Sequence, residues 1–131
     1  VELVVVTKKT KAEWLAQAVR LEKKHNTLVL AVDGGGVHGY ILFRRNGTEG
    51  HIDRIAVAES QRRRGLGRRL LQLAIATLRT NRCVAAMLLL EADTANVGAI
   101  ALYESQGFAR TAIRADYYKP GRDALLMELK L

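Results

Sequence analysis

The sequence predicts a single mixed α/β (α+β) domain over residues 1–131, and three observations predict it. First, 131 residues of which 49% are hydrophobic can bury one core but leave little room for two. Second, residues 28–58 alternate strand-like runs with turn signals, as an antiparallel meander does. Third, an amphipathic helical stretch over 65–80 leads directly into a nearly continuous apolar run over 84–90, the pattern of a strand covered on both faces.

Taken in order, residues 2–6 form a short valine-rich strand. Thr10 with Glu13 three residues later has the spacing of a capping box, and Trp14, Leu15, Ala18 and Leu21 recur at helical intervals as far as about Lys24. Residues 28–32 are a strand stopped by the turn Asp33-Gly34-Gly35-Gly36. Residues 38–43 and 51–58 are the next two strands, joined through Asn46-Gly47, a strong hairpin signal. In the helix over 65–80, Leu66, Leu70, Leu73 or Ala74, and Leu78 mark one apolar stripe. Residues 96–105 read as a second short helix with Val97, Ile100 and Ala101 on one side, closed by Gly107. Residues 108–114 and 124–131 are the last two strands, joined by a loop holding Tyr117, Tyr118 and Pro120-Gly121. Only His25, Asn26 and Thr27 separate the first helix from Leu28, and the chain opens on Val1 rather than Met. Both features lead to the expectation that residues are absent before Val1 and near 25–27.

Composition excludes several classes. No run approaches the roughly 18 to 20 apolar residues of a membrane-spanning helix, and the start has no signal-peptide pattern. A membrane partner is therefore not expected. Cys83 is the lone cysteine and cannot pair internally, which fits the cytoplasm or another reducing compartment. Cys83 reads as a small buried apolar residue rather than a nucleophile. His25, His38 and His51 are scattered, with no metal-ligand spacing, so no metal is expected.

The net charge of +8 is concentrated in one place. Residues 61–82 carry Arg62, Arg63, Arg64, Arg68, Arg69, Arg79 and Arg82 and no acid, while the rest of the chain is close to neutral. Such a pole fits an anionic ligand: a phosphorylated cofactor, a nucleic acid or an acidic surface. The plain alternative is a solvated helix face rich in arginine. Within this segment Gln61-Arg62-Arg63-Arg64-Gly65-Leu66-Gly67 lies between a strand and a helix. A helix start offers unpaired N–H groups and the positive end of the helix dipole. Gly65 and Gly67 let the backbone approach a ligand closely, and the arginines add charge-assisted hydrogen bonds, so a pyrophosphate would fit. The spacing matches neither a nucleoside-triphosphate loop nor a dinucleotide fingerprint.

The run Arg62-x-x-Gly65-x-Gly67 resembles the (Q/R)xxGx(G/A) motif of the GNAT (Gcn5-related N-acetyltransferase) superfamily, and the order of strand, motif, helix, buried strand and helix is also that family's. The closer similarity is to the branch that acetylates the N-terminal alanine of ribosomal proteins. Asn96-Val97-Gly98-Ala99-Ile100-Ala101-Leu102-Tyr103-Glu104-Ser105-Gln106-Gly107-Phe108 looks like its N-x-x-A-I-x-L-Y-E-x-x-G-F signature. Asp116-Tyr117-Tyr118 is similar to its N-Y-Y segment, with Asp in place of Asn. The resemblance covers residues 28–131 well and 1–24 loosely. It implies a GNAT fold, with a mostly antiparallel, splayed central sheet flanked by helices and acetyl-coenzyme A held in the gap between two strands. The implied donor site comprises Ile55, Ala56 and Val57 along the pantetheine arm, Arg62, Arg63, Arg64, Gly65, Leu66, Gly67 and Arg68 at the pyrophosphate, and Asn96 and Tyr103.

Acetyl transfer to an amine needs a base for the amine, donors for the oxyanion and a proton for the leaving thiolate. The resemblance makes Glu91 the base, Tyr103 the acid and the Val57 backbone N–H the oxyanion donor. Tyr117 and Tyr118 would line the acceptor channel. Each residue also has a plainer reading: Glu91 as a solvated carboxylate at a strand end, Tyr103 as a half-buried aromatic with a bonded hydroxyl, Asn96 as an N-cap, and the tyrosine pair as a cover for the core. The implied acceptor is a protein or peptide N-terminus, a ribosomal protein's among them, with direct transfer and a monomer or weak homodimer. The alternatives are acetylation of lysine side chains or small amines and, in another class, a basic RNA- or ribosome-binding module. Against that module, no aromatics interleave the arginines for stacking on bases.

Overall fold

The computed structural model describes residues 1–7, 26–92 and 96–131. In chain order these form β1 (Glu2–Val5), β2 (Asn26–Asp33), β3 (Gly36–Asn46), β4 (Glu49–Val57), a 3₁₀ turn (Glu59–Gln61), α1 (Leu66–Thr80), β5 (Ala85–Glu91), α2 (Val97–Ser105), β6 (Ala109–Lys119) and β7 (Arg122–Lys130). The strands make one sheet in the order β1-β2-β3-β4-β5-β7-β6. Every pairing is antiparallel except β4 with β5. A parallel pair needs a crossover, and α1 supplies it. The expected helix over 10–24 and His25 lie outside the described residues. No helix among the described residues is long and apolar enough to cross a membrane.

Helix α1 buries Leu66, Leu70, Leu71, Ala74, Ile75 and Leu78, the predicted stripe widened by Leu71 and Ile75. They pack on Val29, Ile41, Phe43 and Ile52 of the meander and on Ala86 and Leu88 of β5. Each such leucine contributes roughly 1.5 to 3 kcal/mol through burial. Close approach of α1 to β4 depends on Gly50, where an added Cβ would come within 2.5 Å of Leu78 Cδ1. A second cluster, Leu28, Leu30, Val32 and Leu42, forms from the alternate side chains of β2 and β3.

The sheet splits between two neighbouring strands, as the resemblance implies. Strands β4 and β5 pair only from Glu49↔Ala85 to Ile52↔Leu88. At that point β4 carries a bulge: Leu42 faces Arg54 and Phe43 faces Ile52, leaving Asp53 as an extra residue. A bulge bends its strand and increases the local twist, which turns the rest of β4 away from β5. Arg44 Nε holds the bulged residue through both carboxylate oxygens of Asp53, at 3.2 and 3.1 Å.

Four expectations change. Strand β2 begins at Asn26 rather than Leu28. Val84 is 60% exposed and precedes β5, whose burial is complete only at Ala85, Ala86 and Leu88. Helix α2 buries Ile100 and Tyr103, whereas Val97 is 62% exposed and Ala101 faces solvent. Tyr117 and Tyr118 belong to β6 and not to a loop. Ladder pairing with β7 carries that strand past the point where its hydrophobic pattern ends.

Candidate active site

A cleft of about 670 Å³ opens at the split. Ile55, Ala56 and Val57 line one wall, Gln61, Arg62, Arg63, Gly65, Leu66, Gly67 and Arg68 the end, and Asn96, Gly98, Ala99, Leu102 and Tyr103 the other side. The structure thus brings together most of the predicted donor residues. Arg64 is exposed and outside the lining.

The turn is built by backbone. Arg63 and Gly65 have φ of +64° and +75°. Glycine accepts that conformation at little cost, but an arginine there is uncommon, and such outliers gather at functional sites. The first helical bond of α1 runs from Arg69 N–H to Gly65 O at 3.0 Å, so the N–H groups of Leu66, Gly67 and Arg68 have no helical acceptor. They stand at the positive end of the helix dipole among exposed arginines, a setting for an anion. Space in front of Gly65 is open, with nothing within 4 Å of an added Cβ. At Gly67 an added Cβ would meet Leu102 Cδ2 at 3.3 Å, so a side chain there would crowd the cleft. A pyrophosphate fits this cradle.

Strand β4 presents its free edge to the same cleft. Ala58 N–H donates to His38 O at 2.8 Å, so the alternation of an antiparallel ladder turns the N–H and C=O of Val57 away from β3. Arg62 Nε donates to Val57 O at 3.3 Å from the cleft side, in agreement.

Tyr103 is 6% exposed and lies edge-on to Phe108, with ring centres 5.9 Å apart. Its hydroxyl has no hydrogen-bond partner among the described residues, unlike the plainer reading of a bonded hydroxyl. Burial pushes its pKa up to about 12, so the phenol keeps its proton at neutral pH. Asn96 does not cap α2 with its side chain. Its Nδ2 instead donates to the Glu91 carbonyl at 2.7 Å and ties the start of α2 to the end of β5.

Glu91 lies outside the cleft lining, at the end of β5. Arg122 Nη1 donates to both of its carboxylate oxygens, at 3.3 and 3.2 Å, so it is neither a free solvated group nor in a purely apolar setting. Beside it β6 leaves register: Arg114 faces Ala124 and Lys119 faces Arg122, so residues 115–118 bulge opposite Asp123. Asp116, with φ of +53°, fastens this bulge. Its N–H donates to Asp123 Oδ1 at 2.9 Å, and its Oδ1 accepts from Gly121 N–H at 2.7 Å. An asparagine oxygen could accept the latter bond equally well, so Asp in place of Asn keeps the loop's geometry. The bulge displays Tyr117 and Tyr118, 49% and 43% exposed, with ring centres 5.0 Å apart. That exposure rules out a core-covering role. Burial first, then the charges of Tyr117 and Glu91, raise the Tyr118 pKa above its ordinary value. Arg122 was missed in sequence because its meaning depends on the register of β7 against β5.

A family model described as "Acetyltransferase (GNAT) family" matches residues 4–108. The N-alpha-acetyltransferase RimI of Mycobacterium tuberculosis is 37% identical over 112 residues, 82% of this chain and 68% of that protein. The [Ribosomal protein bS18]-alanine N-acetyltransferase of Salmonella typhimurium is 43% identical over 86 residues, 63% of this chain and 57% of its own length. The chain thus spans little more than half of that relative. Among solved structures, the ribosomal-protein-S18-alanine N-acetyltransferase of Escherichia coli superposes with a TM-score of 0.74 at 30% identity, covering 83% of this chain and 71% of that one.

Proposed function

The chain belongs to the GNAT acetyltransferase family, and from that premise we propose that it moves the acetyl group of acetyl-coenzyme A to a protein N-terminal α-amine. The observation that carries this reading is the split between β4 and β5, with an anion cradle following the end of β4 and the Glu91 carboxylate at the end of β5. The relatives named for transfer to an α-amine or to ribosomal protein bS18 support this acceptor class, and a ribosomal protein is the first candidate.

The donor's pyrophosphate rests on the N–H groups at the start of α1, with Arg62, Arg63 and Arg68 adding charge. Its pantetheine arm runs along the free edge of Ile55–Val57 and hydrogen-bonds like an added strand, and the Val57 N–H receives the developing oxyanion. Glu91 takes the proton from the attacking amine, directly or through one water. Tyr103 donates a hydrogen bond, and then its proton, to the sulfur as the C–S bond breaks. A phenol held near 12 gives its proton reluctantly to a thiolate of ordinary basicity, so that proton moves late, with bond cleavage. Among the described residues lining the cleft there is no serine or cysteine to carry the acetyl group, which supports direct transfer. Cys83 is buried at the far end of α1.

Acetyl transfer to a peptide library varied at its first two residues tests the reading, with N-acetylated copies as controls. The expected result is activity on free N-termini alone. Activity retained on blocked, lysine-containing peptides would replace this acceptor with lysine. Binding of the donor without any peptide reacting would point to small amines.

A further inference from the structure

Arg122 stands beside Glu91 with no role in the mechanism above. It opens β7, and its Nη1 bonds both carboxylate oxygens. Among the described residues it makes no other hydrogen bond, and the Arg122 and Glu91 side chains are 49% and 32% exposed. The contact is therefore a pivot on one nitrogen rather than a two-nitrogen fork. Among the described residues, the other groups bonded to Glu91 or acting on it are uncharged or turned elsewhere. From α2, Asn96 binds its carbonyl. From β6, Tyr118 is a phenol protonated at neutral pH. From β7, the Asp123 carboxylate is directed to the Asp116 N–H.

We infer that Arg122 is a positioning residue for the transfer: it aims the Glu91 carboxylate and, through its fixed charge, disfavours the ammonium form of an acceptor amine approaching that carboxylate. This rests on the reading of Glu91 as the base. Only a neutral amine has the lone pair that attacks. A bare carboxylate would hold the acceptor as ammonium and so oppose the reaction. With Arg122 in place the incoming cation meets a compensated pair, and a second positive charge roughly 5 Å away. The ammonium proton then leaves to water before attack, and Glu91 takes the second proton, which the nitrogen sheds as its bond to the acetyl carbon forms. An α-amine, with an ordinary pKa of about 8, loses it far more readily than a lysine amine at about 10.4, so the same charge favours N-termini over side chains.

The test is kcat and KM against pH on a free-N-terminal peptide, for the wild type, Arg122→Gln and Arg122→Lys. Arg122→Gln should move the rising limb of kcat, which reports groups in the bound complex, up by about one pH unit and lower the neutral value about tenfold. Arg122→Lys keeps the charge and should restore most of the midpoint. A merely structural loss would lower kcat at every pH without moving the limb. A wild type that acetylates no free N-terminus would overturn the parent reading and this inference together. An active wild type whose midpoint Arg122→Gln leaves in place would overturn this inference alone, as would Arg122→Lys shifting as far as Arg122→Gln.

Discussion

The regions that follow the two parted strands, β4 and β5, are made in different ways. The proposed donor end, beyond β4, is one continuous segment, from Gln61 to Arg68, whose main chain forms the cradle: a left-handed turn, two glycines and the unpaired amides of α1. The proposed acceptor end, around the last residue of β5, is assembled from side chains on three strands, Glu91 on β5, Tyr117 and Tyr118 on β6, and Arg122 on β7. A backbone site tolerates side-chain change as long as φ and space are kept, whereas a side-chain site depends on register, because a one-residue slip reverses every side chain.

Gly65→Glu should break the donor end most severely. It combines strain at a φ of +75° with a carboxylate facing phosphate. A few kcal/mol of repulsion weaken binding by at least about 100-fold, measured as acetyl-coenzyme A affinity by calorimetry. Affinity within a fewfold of wild type would move the cradle elsewhere. Glu91→Gln addresses the proposed acceptor end and should lower kcat by about 100-fold while leaving donor affinity intact. Unchanged turnover would remove Glu91 from the chemistry.

Asp116→Ala sharpens the contrast without touching a reacting group. Losing the bond from Gly121 N–H loosens the bulge that carries the tyrosines, at about 1 kcal/mol, so the acceptor KM should rise about fivefold with kcat nearly kept. Asp116→Asn should resemble wild type. A KM that is the same in all three would separate the bulge from the acceptor. The last effect leaves neutral-pH turnover aside and concerns Tyr103 and stability in alkali. Its pKa is raised in the fold, so its contribution is present below the unfolded value near 10 and is lost as pH rises through about 12. Wild type should lose about 2 kcal/mol relative to Tyr103→Phe across that interval, by urea unfolding. Parallel stability curves for the two proteins would contradict the buried phenol.

What the sequence determined by itself was whatever depends on neighbours along the chain. The meander, with turns at Gly34-Gly35 and at Gly47-Thr48, one residue past the expected Asn46-Gly47, the stripe of α1 and the glycine turn were all legible, because periodicity and special backbone angles are local properties. The tertiary structure alone decided the rest. The bulge at Asp53 that ends the β4–β5 pairing has no sequence mark distinguishing it from an ordinary strand residue. Asn96 was legible as a cap but bonds the Glu91 carbonyl, a choice made by where β5 ends. The exposed tyrosines on a bulged β6 and the Arg122–Glu91 pair, 31 residues apart in the chain, exist only because β7 inserts between β5 and β6. Local pattern sets which elements form, whereas the partners of a side chain on a strand are set by register across the sheet, which the chain acquires only on folding.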